Sequence, residues 1–274
     1  MTSKKLIYIA GPTGIGKTEL SIKIAQKLKT EIISCDSRQF FKELKIGTSP
    51  PSLEQLDTVK HHFIHHKSIH DAYNVGKFEK DAINLIDSLF LNYDNLILVG
   101  GSGLYADSIL YGIDKFPIIP MATKNIINKK YKEKGIEYLQ KEIKRLDPEY
   151  YGKVDKKNSR RLIRALEVIE SSGKTFTSFR KSNNKERMFS REIITLNCDR
   201  EILYSKIDKR VDRMIKDGLE NEVYRLREFK NLNTLNTVGY KEFINYFENK
   251  ISYKEAVEKI KQNTRNFAKR QITG

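Results

Sequence analysis

Two cysteines, Cys35 and Cys198, are all that the 274 residues hold, and they stand far apart with no metal-ligand spacing around them. That excludes a disulfide framework and a cysteine zinc site, and it fits a reducing cytoplasm. Runs of about 18 apolar residues are lacking, so no membrane span is expected. The stretch from Met1 to Ala10 has two lysines and a short apolar run that leads straight into glycines, too short for a secretory h-region with a cleavage site. Internal repeats and low-complexity tracts are also missing. Acidic residues are in deficit: 35 Asp and Glu face 51 Lys and Arg, a formal charge of +16. Such an imbalance points to a polyanionic partner or to a lysine-rich background composition. With 39% hydrophobic residues the chain can bury at least one full core, in one or two domains.

Leu6 to Ala10, Glu31 to Cys35 and Leu96 to Val99 are short apolar, β-branched runs bounded by Gly, Asp or Asn, the pattern of buried parallel strands. Between them, Leu20, Ile24 and Leu28, and then Phe78, Ala82 and Ile86, recur at helical spacing. Strands alternating with helices predict an α/β parallel sheet with flanking helices. From Pro117 to about Ser190 the pattern becomes helical and lysine-dense, with no convincing strand. This segment carries 19 Lys and Arg against 9 Asp and Glu, leaving only +6 for the other 200 residues. It predicts an inserted, mostly helical basic domain over 117–190 within a core formed by 1–116 and 191–274. Arg191 to Leu196 is expected to return to the sheet. A last helix near Ser252 to Arg270 has one apolar face and one basic face, which reads equally as a solvated surface or a binding surface.

Gly11-Pro12-Thr13-Gly14-Ile15-Gly16-Lys17-Thr18 matches G-x-x-x-x-G-K-[ST] in full, between a predicted strand and a predicted helix. Glycines let backbone N–H groups turn toward phosphate oxygens, the helix N-terminus favours negative charge, Lys17 neutralises it, and Thr18 can ligate Mg²⁺. The motif alone implies a bound di- or triphosphate, as in kinases, ATPases and GTPases, and so the P-loop NTPase type of fold. The third strand ends in Gly100-Gly101-Ser102-Gly103 where an ordinary ATPase would place a metal-binding acid. An acid does follow the second strand: Asp36. Ligands in such sheets sit beyond the strand carboxyl ends, so Asp36 should share a crevice with the cradle. It is either a general base or a cap for the next helix.

Taken together, Gly11 to Thr18, Asp36-Ser37, Lys45-Ile46-Gly47-Thr48, His61-His62 and Val99 to Tyr105 resemble the tRNA dimethylallyltransferases, also called tRNA isopentenyltransferases. Later segments continue in the family's order: Arg164 to Val168, Ser172 to Thr175, Arg210-Val211-Asp212, Met214, Gly218-Leu219, Glu222-Val223, Val238-Gly239-Tyr240 and Lys269-Arg270-Gln271. The likeness runs over about residues 5–273. It implies that the cradle holds the diphosphate of dimethylallyl diphosphate with Mg²⁺. Asp36 would take a proton from the exocyclic amine of an adenosine 3′-adjacent to the anticodon. Lys17, Thr18, Arg210 and Ser102 would meet the charge on the departing diphosphate.

By the same resemblance, contacts to the tRNA anticodon stem-loop map onto Asp36, Ser37, Arg38 and Gln39, onto Ser102 and Lys124, onto Asn158, Ser159, Arg160, Arg161 and Leu162, and onto Asn236, Thr237, Val238, Gly239, Tyr240 and Lys241. The basic insertion would clamp the stem through its phosphates, and a monomer is expected. Several positions depart from the family's usual residues: Ser102 stands for Thr, Lys124 for Arg, and Asn158-Ser159 for Asp-Pro. The chain ends at Gly274, where the family commonly continues past Thr273 into a Trp. With no zinc-finger extension it resembles the compact bacterial form.

All five histidines, His61, His62, His65, His66 and His70, fall within ten residues. A strand through His61 to His66 would alternate their side chains between two faces, so metal binding requires a bend. The resemblance gives His61-His62 a polar, substrate-adjacent role instead. The alternative function is a P-loop kinase for a small molecule, with Asp36 holding the acceptor hydroxyl. Against it stand the 74-residue insertion and its surplus charge. A non-catalytic RNA-binding module would need a broken cradle, and the cradle is intact.

Overall fold

In the computed structural model, residues 4–180 and 185–273 are described; residues 1–3 of the N-terminal run, 181–184 of the predicted insertion, and Gly274 lie outside them. The chain divides into two compact units, Met1–Tyr111 with Glu186–Gly274, and Gly112–Lys185.

The first unit is built on a parallel sheet. Its strands are β1 (Lys5–Ala10), β2 (Ile32–Ser34), β3 (His61–His62), β4 (Asn95–Val99) and β5 (Ser190–Thr195), in the spatial order β3-β2-β4-β1-β5. The register sets Leu6 beside Leu96 and Ile7 beside Ile97. Alternation along β1, β2 and β4 then sorts their side chains between two buried layers. Leu6, Ile33, Leu96 and Leu98 join one core with Phe78, Ala82 and Ile86 of α3 (Val75–Leu89) and Ala106 and Ile109 of α4 (Gly103–Leu110). Ile7, Ile9, Ile32, Ile97 and Val99 join the other with Ile22 and Ala25 of α1 (Lys17–Leu28). Because both faces are covered there, these three strands read as apolar runs in the sequence, while the edge strand β5 is largely exposed. The short α2 (Leu53–Thr58) begins at a capping box between Ser52 and Gln55.

The expected strand through His61 to His66 is corrected. It ends at His62, because Phe63 (φ 63°) and His65 (φ 47°) take left-handed conformations that no strand continues through. The bend that metal binding would require is therefore present. Even so, among the described residues no group of three or more His, Cys, Asp or Glu is placed to hold an ion.

The second unit contains α5 (Met121–Leu146), α6 (Pro148–Lys153), α7 (Ser159–Ser172) and α8 (Phe176–Phe179), and among its described residues no strand. Helix α5 is broken at Gly135, whose φ of 72° and ψ of −169° interrupt the helical ladder. Ile127, Leu139, Ile143, Leu162, Ala165, Leu166 and Phe176 form its core. Buried Asp147 caps α6 through the Tyr150 amide at 3.0 Å and accepts from the Thr177 amide and hydroxyl, both at 2.8 Å. One carboxylate thus ties two short helices together.

Helices α9 (Arg200–Lys216), α10 (Leu219–Leu226), α11 (Tyr240–Phe247) and α12 (Tyr253–Thr273) complete the first unit. Ile207 of α9 and Ala268 of α12 pack together with Ile15 of the glycine loop. Among the described residues no helix is long and apolar enough to cross a membrane.

Candidate active site

The loop after β1 turns on Gly11, Gly14 and Gly16, and Gly16 (φ 111°) delivers the chain into α1 without a side-chain cap. The first amides of α1 are therefore left for a ligand or solvent, and the helix dipole makes an anion the favoured partner. Gly11 is required by space as well, since a Cβ there would lie 3.0 Å from the Leu196 carbonyl oxygen. The Lys17 ammonium donates to the Gly11 carbonyl at 2.7 Å and the Pro12 carbonyl at 2.9 Å, closing the loop on itself.

A cavity of about 1050 Å³ opens beyond the carboxyl ends of β1, β2 and β4. Thr13, Gly14, Gly16, Lys17 and Thr18 line it, and so do Ser34 at the end of β2, Asp36 and Gln39 after it, Gly100 and Gly101 after β4, and Arg210 on α9. Burial lowers Lys17 to about 8, with Asp36 opposing that shift and Arg210 adding to it. Burial also lowers the Arg210 guanidinium, again opposed by Asp36. Asp36, Lys17 and Arg210 thus feel one another electrostatically at the cradle.

Asp36 is held by a short local turn: its Oδ1 accepts from the Arg38 amide at 3.0 Å and its carbonyl from the Gln39 amide at 3.1 Å. The helix after β2 that Asp36 was alternatively expected to cap is instead a turn with this carboxylate inside it. Gly100 lets β4 approach β2, because a Cβ there would sit 2.6 Å from the Cys35 carbonyl carbon and Sγ. Ser102 starts α4, and its hydroxyl accepts from the Ser37 amide at 3.0 Å and shares a 2.9 Å hydrogen bond with the Ser37 hydroxyl.

The expected residues fall into separate groups. The cradle, Asp36, Gln39 and Arg210 share the cavity, while Ser102 and Ser37 support one another beside it. Arg38 turns its guanidinium to the Asn233 and Thr234 carbonyls. Asn236, Thr237 and Val238 lead to Gly239, Tyr240 and Lys241 at the start of α11; Tyr240 is fully buried and Lys241 is exposed. In the second unit, Lys124 lies on α5, and Asn158 caps α7 through the Arg161 amide. Ser159, Arg160 and Arg161 form the first turn of α7, with both arginines exposed, and Leu162 is buried in that unit's core.

Two features of the site are not assigned from the sequence: a row of cations on α9, and the contact made by Gln271, which figures there only within the Lys269-Arg270-Gln271 segment of the resemblance. Lys206, Lys209 and Arg213 line the cavity with Arg210, and their three- and four-residue spacing along α9 was the available signal. Gln271 of α12 accepts from the Thr13 amide at 2.8 Å and donates to the Gly101 carbonyl at 2.6 Å, bridging the loops after β1 and β4. No local pattern signals that contact.

A family model described as IPP transferase matches residues 39–273. The chain is similar to a tRNA dimethylallyltransferase of Christiangramia forsetii, with 51% identity over 271 residues covering 99% of this chain and 90% of the relative. Among solved structures it is similar to the tRNA isopentenylpyrophosphate transferase of Bacillus halodurans (TM-score 0.70, 30% identity, 98% of this chain and 86% of that one). It is also similar to a eukaryotic dimethylallyltransferase described as acting on tRNA (TM-score 0.82, 28% identity, 99% of this chain and 69% of that one).

Proposed function

Since the chain belongs to the IPP transferase family, whose members include tRNA dimethylallyltransferases, we propose that it moves a dimethylallyl group from dimethylallyl diphosphate to the exocyclic N6 amine of the adenosine 3′-adjacent to the anticodon. The observation that carries the reading is one cavity lined by both a phosphate cradle and the Asp36 carboxylate. The N6 lone pair forms a bond to the allylic carbon as that carbon's bond to the diphosphate oxygen breaks. The bonding pair leaves with diphosphate, and the nitrogen's proton passes to Asp36. Lys17, Arg210 and the loop amides meet the charge that grows on the leaving oxygens, with the Lys17 ammonium exchanging its bonds to the Gly11 and Pro12 carbonyls for the diphosphate. Ser102 supports this arrangement through Ser37, next to Asp36.

The oxygen donors on the cavity wall, the Thr18 and Ser34 hydroxyls and the Asp36 carboxylate, suit Mg²⁺, which prefers hard oxygen ligands and shares them with substrate phosphates. Thr18 would hold the ion, whose chemistry is to neutralise charge on a diphosphate.

The acceptor adenosine must leave its stack to reach Asp36, at a cost of a few kcal/mol that is least in a loop. The anticodon stem-loop is the tRNA region proposed to dock, with phosphate contacts supplied by the basic second unit, and the cytoplasm is the expected compartment. The small-molecule kinase alternative finds no support in the names of the similar proteins.

The test is transfer of labelled dimethylallyl to an unmodified tRNA with an A-rich anticodon loop, in Mg²⁺, beside an ATP control. Label in the tRNA is the expected result. No label, with the ATP γ-phosphate appearing on a small acceptor, would replace this reading with the kinase.

A further inference from the structure

Glu222 of α10 gathers four donors on one carboxylate. Its Oε2 accepts from the amides of Lys45 at 3.0 Å and Ile46 at 2.8 Å; its Oε1 accepts from the Gly47 amide at 3.1 Å and the Tyr240 hydroxyl at 2.5 Å. Three consecutive N–H groups turned toward one anion form a concave nest, which fixes the backbone of that loop as few other contacts can. Tyr240 is fully buried and presses on the same loop: a Cβ on Gly47 would overlap its ring.

The same loop lines the cavity through Lys45, Ile46 and Ser49. The Thr48 and Ser49 carbonyls each accept from the Gln39 side-chain amide at 3.2 Å, and Ser49 is held at a left-handed φ of 41°. Gln39 lines the cavity, and its own amide donates to the Asp36 carbonyl. A continuous chain of hydrogen bonds therefore runs from Glu222 through residues 45–49 to Gln39 and the turn that carries Asp36.

We propose that Glu222 is a positioning residue for the transfer step: it sets the 45–49 loop, the loop sets Gln39, and Gln39 sets the turn that presents Asp36 to the acceptor amine. The proposal rests on the dimethylallyl-transfer reading. Glu222 bonds to no residue of the glycine loop, and the Arg210 guanidinium meets the 45–49 loop through a long bond to the Thr48 carbonyl at 3.5 Å, so the effect of Glu222 falls mainly on the reaction step and less on donor binding. Glu222→Gln keeps the shape but turns an NH₂ group toward a nest of donors, so part of the nest loses its acceptor.

The experiment combines single-turnover transfer, donor binding and amide hydrogen exchange on the full chain, for wild type, Glu222→Gln, Gln39→Ala and the double variant. In Glu222→Gln the transfer rate is expected to fall roughly 10- to 100-fold, the scale set by a small misplacement of reacting groups. Donor affinity should stay within about twofold, and the amides of residues 45–47 should exchange faster. The double variant should be no slower than the slower of the two single variants, because the two residues act in series. Losses that multiply in the double variant, a wild-type rate in Glu222→Gln, or donor binding that falls as far as the rate would each overturn the proposal. Tyr240→Phe removes one donor without altering the fold, and if Glu222→Gln does not fold it takes that variant's place. There a rate loss of about threefold with faster exchange at Gly47 is expected, and a wild-type rate with unchanged exchange at Gly47 would overturn the proposal. If the wild type labels no tRNA, the functional reading fails by itself. Exchange at residues 45–47 then decides whether Glu222 holds the loop, and unchanged exchange overturns that as well.

Discussion

Lys17 is the residue at which charge, burial and chemistry meet. Its ordinary value of 10.5 falls to about 8 in the folded protein, chiefly through burial. At Lys17 the unfolded chain therefore holds a proton that the folded one lacks between pH 8 and 10.5, so the Lys17 contribution to stability in the ligand-free protein should rise with pH through that window, against the opposite contribution of the buried Cys35 thiol, which burial pushes up. Thermal melts of wild type and Lys17→Met across pH 7.5 to 10.5 check this: the melting temperature of wild type relative to the variant is expected to rise with pH, since the other titrating groups are common to both. Donor binding should respond with the opposite sign, because the diphosphate needs the ammonium. The KM for dimethylallyl diphosphate is expected to climb above pH 8, approaching tenfold per pH unit. Asp36→Asn should lower transfer by about 10²- to 10⁴-fold, the range of a lost general base, while tRNA binding persists in a filter assay. Lys17 and Asp36 were legible in the sequence because their neighbours in the chain make the motif. Gln271 and Glu222 stood out only as parts of segments that carry the resemblance, and their roles were not legible, since each acts on backbone far along the sequence: Gln271 on Thr13, 258 positions away, and Glu222 on Ile46, 176 away. A single side chain carries no local trace of such a partner.

At the scale of elements, β1, the glycine loop and α1 follow directly from an apolar run, glycines at positive φ and a helical repeat. The segment after β3 does not, because its conformation is set by an aromatic cluster drawn from distant parts of the chain. His66 sits edge-on to Phe40 at 5.3 Å, Phe63 at 5.1 Å and Tyr73 at 5.3 Å, with Phe78 stacked on Phe40. Among the described residues neither of its ring nitrogens has a hydrogen-bond partner. Burial lowers it to about 4, helped by Lys67 and opposed by Asp81 and Asp71. Between pH 4 and 6.5 the unfolded chain binds the extra proton, so His66 makes stability fall as pH drops through that window. His66→Phe keeps a ring of similar shape and removes two unpaired polar atoms. It is expected to leave stability at pH 7.5 unchanged or higher by about 1 kcal/mol and to flatten the acid limb of the denaturation curve. The cluster anchors Phe40, next to Gln39, and Tyr105 of α4, so the same contacts that hold the core also hold two cavity loops in place.

For the whole molecule, the division into two units separates charge from chemistry. The cradle, Asp36 and Arg210 belong to the first unit. Gly112–Lys185 carries 19 Lys and Arg against 9 Asp and Glu, with no cavity role of its own required to explain them. Helix α7 makes the purpose of that surplus testable. Its first turn holds Arg160 and Arg161, both exposed, and no acidic residue. Cations there oppose the helix dipole by about 0.3–1 kcal/mol each. Arg160→Glu with Arg161→Glu would therefore favour the helix, and the melting temperature should hold or rise. If those arginines contact phosphates, tRNA affinity should nonetheless drop, and the slope of log K against log salt should become shallower by about 1 to 2 units. Donor binding, which depends on the first unit, should not change. A double variant that melts no lower, binds the donor as before and yet loses tRNA would separate a binding surface from a merely solvated one. Unchanged tRNA affinity and salt slope would return the charge of α7 to background composition.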